Sequence, residues 1–481
     1  MTKPPLIRRS VGGFRGLAWC HQESNQGHQD FQSCALPTEL WHRCFKSVAN
    51  LRYFFQNIEI DPKWLSFYTF VPFMTLPIHT YRFKNGIRLV HRPNRSEVAH
   101  FGLMVHTGTR DELEHEHGLA HYMEHMFFKG TRKRSAFQII SRLEDVGGEI
   151  NAYTTKEETA LYASFLKQDY LRAIELIHDI FFHSIFPEKE RMKEAEVILN
   201  EIQSYDDSPS ELIFDRAEEI LFPDHAIGRN ILGSESSLSA FKNGALEHFQ
   251  MENYATEEIV LSFTGNIHFE RIRHAVEKYF SEIPLKARQR NRMTPKVSAG
   301  MKLVEKRNTF QKHCLLAGEA YPLPDRKRLQ LYLLNNILGG PGMNSRLNMA
   351  LRERRGYSYS AESHYAPYTD TGAMMVYFSC DPERFQQCLH VTREEIKKLR
   401  TKRITDNRLE YARKQLIGQL AISYESNEHL MLTTGKRILV FNQVNSLEEI
   451  RKELSEINAL HLLETANEVL SPENFNTLIF E

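Results

Sequence analysis

Cysteine, net charge and long clean apolar runs are all scarce in this 481-residue chain. There are six cysteines and no Cys-x-x-Cys pair, which excludes a disulfide scaffold and a four-cysteine zinc site and fits a reducing compartment. Lysine and arginine (61) balance aspartate and glutamate (61), so no net field steers the chain toward nucleic acid or an anionic lipid surface. The longest apolar stretch, Trp64 to Ile78, is interrupted by Pro72 and Pro77 and carries Ser66 and Thr69. It falls short of the ~18–20 clean residues of a membrane helix, and no membrane span is expected. Residues 1–35 scatter Arg8, Arg9, Arg15, His21 and Gln22 among isolated apolar side chains, unlike the compact apolar run of a secretory signal.

What is present suits a globular chain of two or three domains: 41% hydrophobic and 25% charged residues, enough for a sizeable core. Residues 1–73 hold no helical or strand period and read as an extension. They are either a mitochondrial-type presequence, since the first 22 residues have Arg and Lys but no Asp or Glu, or sequence upstream of a start at Met74; the second is favoured. From Met74 the pattern becomes regular. A strand from Ile78, a turn at Asn85-Gly86 and a strand to His91 form hairpin grammar. A strand over 99–106, a helix over 118–129, a helix over 137–146 and two strands over 149–166 follow. Helices over 170–185 and 188–205, a strand over 259–264 and a helix over 269–280 complete a mixed unit. Residues 286–300 are basic and aperiodic, as a linker should be. Beyond them the coarse order repeats, with strands near 312–316, 357–365 and 373–379 and a helix over 326–338. The expected organisation is an extension (1–73), a first mixed unit (74–290) and a second (301–481): an α+β chain of two related domains, each an antiparallel-rich sheet packed with helices.

The sharpest local feature is His121-Tyr122-Met123-Glu124-His125, an inverted His-x-x-Glu-His zinc motif. On a helix the two histidines stand one turn apart on one face, so both imidazoles can address one ion. Glu124 lies about 60° round from His121, close enough to act as a base beside the metal without ligating it. A chain with 22 histidines would show such a pentapeptide by chance about one time in ten. A catalytic zinc site also needs a third protein ligand.

The stretch His117-Gly118-Leu119-Ala120-His121-Tyr122-Met123-Glu124-His125-Met126-Phe127-Phe128-Lys129-Gly130-Thr131 resembles the active-site helix of the insulinase-type, or pitrilysin, zinc peptidases. It is especially similar to the branch containing the mitochondrial processing peptidase and its bacterial relatives. The resemblance implies that Glu201, at the family's spacing on a later helix, is the third zinc ligand, and that Glu194 supports the ligands from the same face. It implies one Zn2+ per chain on His121, His125 and Glu201, with Glu124 as catalytic base. Gly147-Gly148-Glu149-Ile150-Asn151-Ala152 is similar to the strand along which these enzymes align a peptide, making Asn151 and Ala152 substrate-binding residues. Glu157 and Glu158, which follow that strand, would attract a basic side chain as acidic residues do in the presequence-cleaving relatives, although a solvated strand-end pair is the plainer reading. Leu351-Arg352-Glu353-Arg354-Arg355-Gly356-Tyr357-Ser358-Tyr359 resembles the family's C-terminal element and selects Arg352 and Tyr359 as catalytic partners.

The implied protein is a zinc metalloendopeptidase that hydrolyses peptides or unfolded segments bound as an added β-strand. The chain would form half of a clamshell chamber completed by a second copy or by a related chain. Its implied location is the cytoplasm, as in the bacterial relatives, or the mitochondrial matrix if residues 1–73 act as a presequence. A catalytically silent peptide-binding or assembly subunit of the same fold is the competing class. A metalloenzyme acting on small molecules is a third, but it gives no reason for the strand or the Arg/Tyr element.

Overall fold

The computed structural model describes residues 77–288, 290 and 292–481. The expectations placed on residues 1–73, and Met74 as a start, lie outside the described residues. The first half runs β1 (His79–Arg82), β2 (Arg88–Pro93), β3 (Val98–Val105), α1 (Leu119–Met126), α2 (Ala136–Glu144), β4 (Glu149–Thr154) and β5 (Thr159–Leu166). It continues with α3 (Tyr170–His183), α4 (Glu188–Asp206), α5 (Pro209–Leu221), α6 (Glu235–Ala240), α7 (Ala245–Asn253), β6 (Ile259–Gly265) and α8 (Phe269–Phe280). The second half runs β7 (Lys302–Glu305), β8 (Lys312–Glu319), α9 (Arg328–Gly339), β9 (Ser358–Pro367), β10 (Gly372–Cys380) and α10 (Phe385–Thr401). It ends with α11 (Asp406–Ser423), α12 (Asn427–Phe441), α13 (Leu447–Glu456), α14 (Ala459–Val469) and β11 (Asn476–Phe480).

The chain is thus a mixed α+β protein with two sheets, ordered β1-β2-β6-β3-β5-β4 and β7-β11-β8-β10-β9. From β2 onward the two orders correspond strand for strand, and each sheet has one parallel pair, β2 with β6 and β7 with β11. The repeat that is faint in the residues is plain in the topology. Between β1 and β2, Gly86 takes φ +90°, and the Asn85 amide donates to the Phe280 and Ile283 carbonyls. The turn is therefore sewn to the end of α8.

Each sheet buries one face against helices of its own half: residues such as Phe101, Leu103 and Phe263 pack with Met123, Ile177 and Val276 in the first, and Leu316, Val376 and Phe378 with Leu334, Leu389 and Leu462 in the second. The opposite faces are covered by exchange. On α5, in the first half, Ile213, Ala217 and Leu221 pack on Leu315, Met375 and Tyr377 of the second sheet. On α12, in the second half, Met431, Ile438 and Leu439 pack on Val90, Met104 and Val260 of the first. Gly435 allows the close approach, because a Cβ there would stand 2.4 Å from the Met104 sulfur.

The expected linker is refined. Among its described residues the linker has no helix or strand, but its arginines are not solvated: Arg292 pairs with Asp111 at 2.7 Å and Arg290 Nη2 donates to Glu258 at 2.7 Å. The chain winds as a π-helix over Asn348–Glu353, which carries Arg352, and Arg355 donates to the Ala350 carbonyl at 2.8 Å.

Candidate metal centre

The helix α1 is short and begins at Gly118, whose φ of +92° is left-handed. Glycine is required there twice over, since a Cβ would also meet the Gly233 Cα at 2.7 Å. The expected helix over 118–129 stops at Met126, where the chain turns through Phe127 and Lys129. Facing α1 is α4, otherwise a polar helix, which buries a stripe made by Glu194 and Ile198. The Tyr122 hydroxyl donates to the Arg191 carbonyl and ties the two helices together.

Within this frame His121, His125 and Glu201 converge, with one ligand atom of each lying within 4.8 Å of the others. Glu201 Oε2 is 3.8 Å from His121 Nε2 and 3.6 Å from His125 Nε2. A tetrahedral zinc with bonds near 2.0–2.1 Å separates its ligands by about 3.4 Å, so the spacing suits a small divalent ion. Two imidazoles and one carboxylate are a donor set that zinc accepts. Burial, followed by the neighbouring His125, lowers His121 to about 4, which keeps its ring neutral with a free lone pair. The His121 Nδ1 atom is buried without a hydrogen-bond partner among the described residues.

His125 is steadied from the side. Glu194 Oε2 lies 3.2 Å from its Nδ1, and the other Glu194 oxygen pairs with Lys129 at 2.6 Å. Burial opposes a charge on His125, but bonds to Glu194 and then Glu201 outweigh it and raise the ring to about 9. Those same bonds hold both carboxylates below their ordinary range against the desolvation that would raise them. Glu124 is buried beside the cluster, pushed up to about 7 by desolvation, and bonded to Thr154 at the end of β4. The carboxyl therefore stands between the histidines and a sheet edge.

β4 is that edge, paired among the described residues only with β5. Asn151 is exposed on it and Ala152 is buried. Glu157, at the tip of the β4–β5 hairpin, is not free to meet a ligand: it accepts from Arg110 at 2.7 Å, from Arg292 at 3.3 Å and from the Thr369 main chain at 2.9 Å. It serves the junction of the two halves, and the plainer reading as a solvated charge fails equally. Arg352 and Tyr359 lie together in the second half, with the guanidinium 5.2 Å above the ring and Tyr359 76% exposed. Arg352 pairs with Glu353, and neither residue is bonded to the histidine cluster.

Sequence reasoning passed over Lys129, Thr154 and Glu112. Lys129 stands one helical turn beyond His125 and had a detectable signal in that spacing. Thr154 and Glu112 had none, since their partners are set by contacts across elements.

Comparison with known proteins comes to the same region. A family model described as insulinase (peptidase family M16) matches residues 88–235, and one described as the peptidase M16 inactive domain matches residues 241–416. A Bacillus subtilis protein, the uncharacterized zinc protease YmxG, is 34% identical over 383 residues, covering 79% of this chain and 93% of its own. An uncharacterized zinc protease of Rickettsia bellii is 31% identical over 400 residues, 83% of this chain and 96% of that one. Among solved structures, a protease from Helicobacter pylori superposes with a TM-score of 0.78 at 18% identity, over 84% of this chain and 99% of that chain. A peptidase M16 inactive domain from Pseudomonas fluorescens does so with a TM-score of 0.78 at 17% identity, over 84% and 98%.

Proposed function

The chain belongs to the insulinase-type M16 peptidase family, and on that premise we propose that it is a zinc endopeptidase acting on peptides or unfolded polypeptide segments. The observation that carries the reading is the convergence of His121, His125 and Glu201 with Glu124 buried beside them and bonded to the edge strand. A zinc ion held by those three side chains would polarise a scissile carbonyl and make water a competent nucleophile. Glu124 takes a proton from the attacking water at its carboxylate and returns it to the leaving amine. Lys129 and Glu194 hold the His125 ring in one orientation.

An extended peptide adds to β4 through main-chain hydrogen bonds, which gives affinity with little demand on sequence. Exposed Asn151 is positioned to bond that peptide, and Ala152 keeps the strand flush against the core. The half over 74–290 is the catalytic one and that over 301–481 supports it. Arg352 and Tyr359 act on the peptide when a second copy of the chain closes the chamber, where the tyrosine hydroxyl can meet the developing oxyanion.

The test pairs the parent with Glu124→Gln. The parent should hold about one zinc per chain and cut an unstructured peptide, while the variant should keep zinc and lose roughly 10²–10⁴ in kcat. A parent without zinc, or a variant that cuts as fast as the parent, would sink the proposal.

A further inference from the structure

The metal-bearing helix α1 has eight residues, so its unpaired first-turn N–H groups are a large share of its hydrogen bonds. A helix usually satisfies them with the side chain of its own N-cap residue. Here the N-cap is Gly118, which has no side chain and can have none, because Gly233 lies against it. The cap comes instead from six residues back. Glu112 Oε2 accepts from the Gly118 N–H at 3.0 Å and Glu112 Oε1 accepts from the Ala120 N–H at 2.8 Å. The residue is 4% exposed. Arg229 fixes the loop from outside, donating to the Glu112 and Leu113 carbonyls at 3.2 and 3.3 Å.

We propose that Glu112 is a positioning residue for the metal centre: by accepting with its two carboxyl oxygens from two main-chain N–H groups at the start of α1, its side chain sets the placement from which His121 and His125 reach the ion. His121 follows Ala120 directly, and His125 is one turn further on the same face. Ligand sites tolerate errors of about 0.5 Å, so a first turn free to fray or rotate would pull His121 out of range before it unfolded the helix. A glutamine of the same shape cannot substitute. It offers one acceptor oxygen, and its NH2 would face the second main-chain N–H, leaving donor against donor in a buried site.

This inference rests on the zinc reading of His121, His125 and Glu201, and the experiment separates the two. Zinc affinity is measured on metal-free protein by competition with a chelating dye, alongside the melting temperature of the same metal-free samples, for the parent, Glu112→Gln and Glu116→Gln. Glu116 lies in the same loop and accepts from the Leu113 N–H at 2.9 Å, with no hydrogen bond to α1 among the described residues, so its variant reports damage to the loop. The expected result is a 10–100-fold weaker zinc affinity for Glu112→Gln, parent-like affinity for Glu116→Gln, and similar melting temperatures for the two variants. At saturating zinc, Glu112→Gln should lower kcat and leave KM for peptide near the parent value. Should the amide variant not fold, Glu112→Asp, which keeps both acceptor oxygens but is one methylene shorter, is expected to show at least a tenfold loss. Parent-like zinc affinity in a folded Glu112 variant, or an equal loss in Glu116→Gln, overturns the inference and leaves the zinc reading standing. A parent that binds no zinc overturns both.

Discussion

At the scale of single residues, the centre depends on which groups hold the ligands still. Glu194 divides its carboxylate between His125 and Lys129, so it orients a ring without touching the space between the three ligand atoms. Replacing it by glutamine keeps the shape but removes the charge that favours Nδ1–H donation. The expected outcome for Glu194→Gln is a zinc affinity lower by about 10–100-fold, with the fold intact by circular dichroism. Equal affinities in a chelator competition would show that Glu194 serves only the Lys129 pair. The same scale explains why Glu157 leaves the list of peptide contacts. A carboxylate shared by two arginines and Thr369 is already neutralised and tied into the junction, so it holds no unpaired charge to offer a basic substrate side chain.

At the scale of elements, the notable arrangement is that α5 and α12 cross over, each covering the sheet of the other half. The contact of α12 with the first sheet is close at two points. Gly102 on β3 faces the Met431 sulfur, and Gly435 on α12 faces Met104, with added Cβ atoms at 2.9 and 2.4 Å. Ser262 on β6 donates to the Met431 carbonyl at 2.7 Å. A larger side chain at this crossing must push the helix off the sheet or drive Met104 from its packing. Gly435→Val is expected to cost about 1–3 kcal/mol as overpacking, read as a lower midpoint in denaturant with an unchanged slope. An unaltered midpoint would mean that α12 is not seated on β3 and β6 as closely as its contacts show.

At the scale of the whole molecule, the halves meet through a buried ionic junction. Arg110 reaches across to Asp370 with two bonds of 2.6 Å, and Arg292 gathers Asp111, Glu157 and His106. His106 sits in this cationic surrounding. Burial, then Arg290 and Arg292, lower it to about 2, so the folded state binds its proton far less readily than the unfolded state, where a histidine titrates near 6.5. The stabilisation is therefore full above pH ~6.5 and is lost as pH falls below it, by at most about 1.4 kcal/mol per pH unit for one proton. His106→Gln, uncharged at every pH, should flatten the fall in melting temperature between pH 6.5 and 5 relative to the parent. His91 and His178, both lowered to about 4 mainly by burial, should leave part of the slope in place. Parallel curves for parent and variant would remove His106 from the account.

Much of this was already in the order of residues. The period read over 118–129 puts His121 and His125 on one face because helical geometry is local, although the helix itself is shorter, and the pattern over 149–166 marks two strands for the same reason. The Asn85-Gly86 turn declares itself because few residues adopt its backbone. Glu194 and Glu201 share a face of α4 by spacing alone. That this face lies against α1, and not against solvent, was decided by packing around Ile198 and by the Tyr122–Arg191 bond. The cap from Glu112, the capture of Glu157 and the linker arginines, and the exchange of α5 and α12 have no local signature. The cap spans only six to eight residues and the others join residues far apart in the chain, but burial selects all of these partners only once the fold has closed around them.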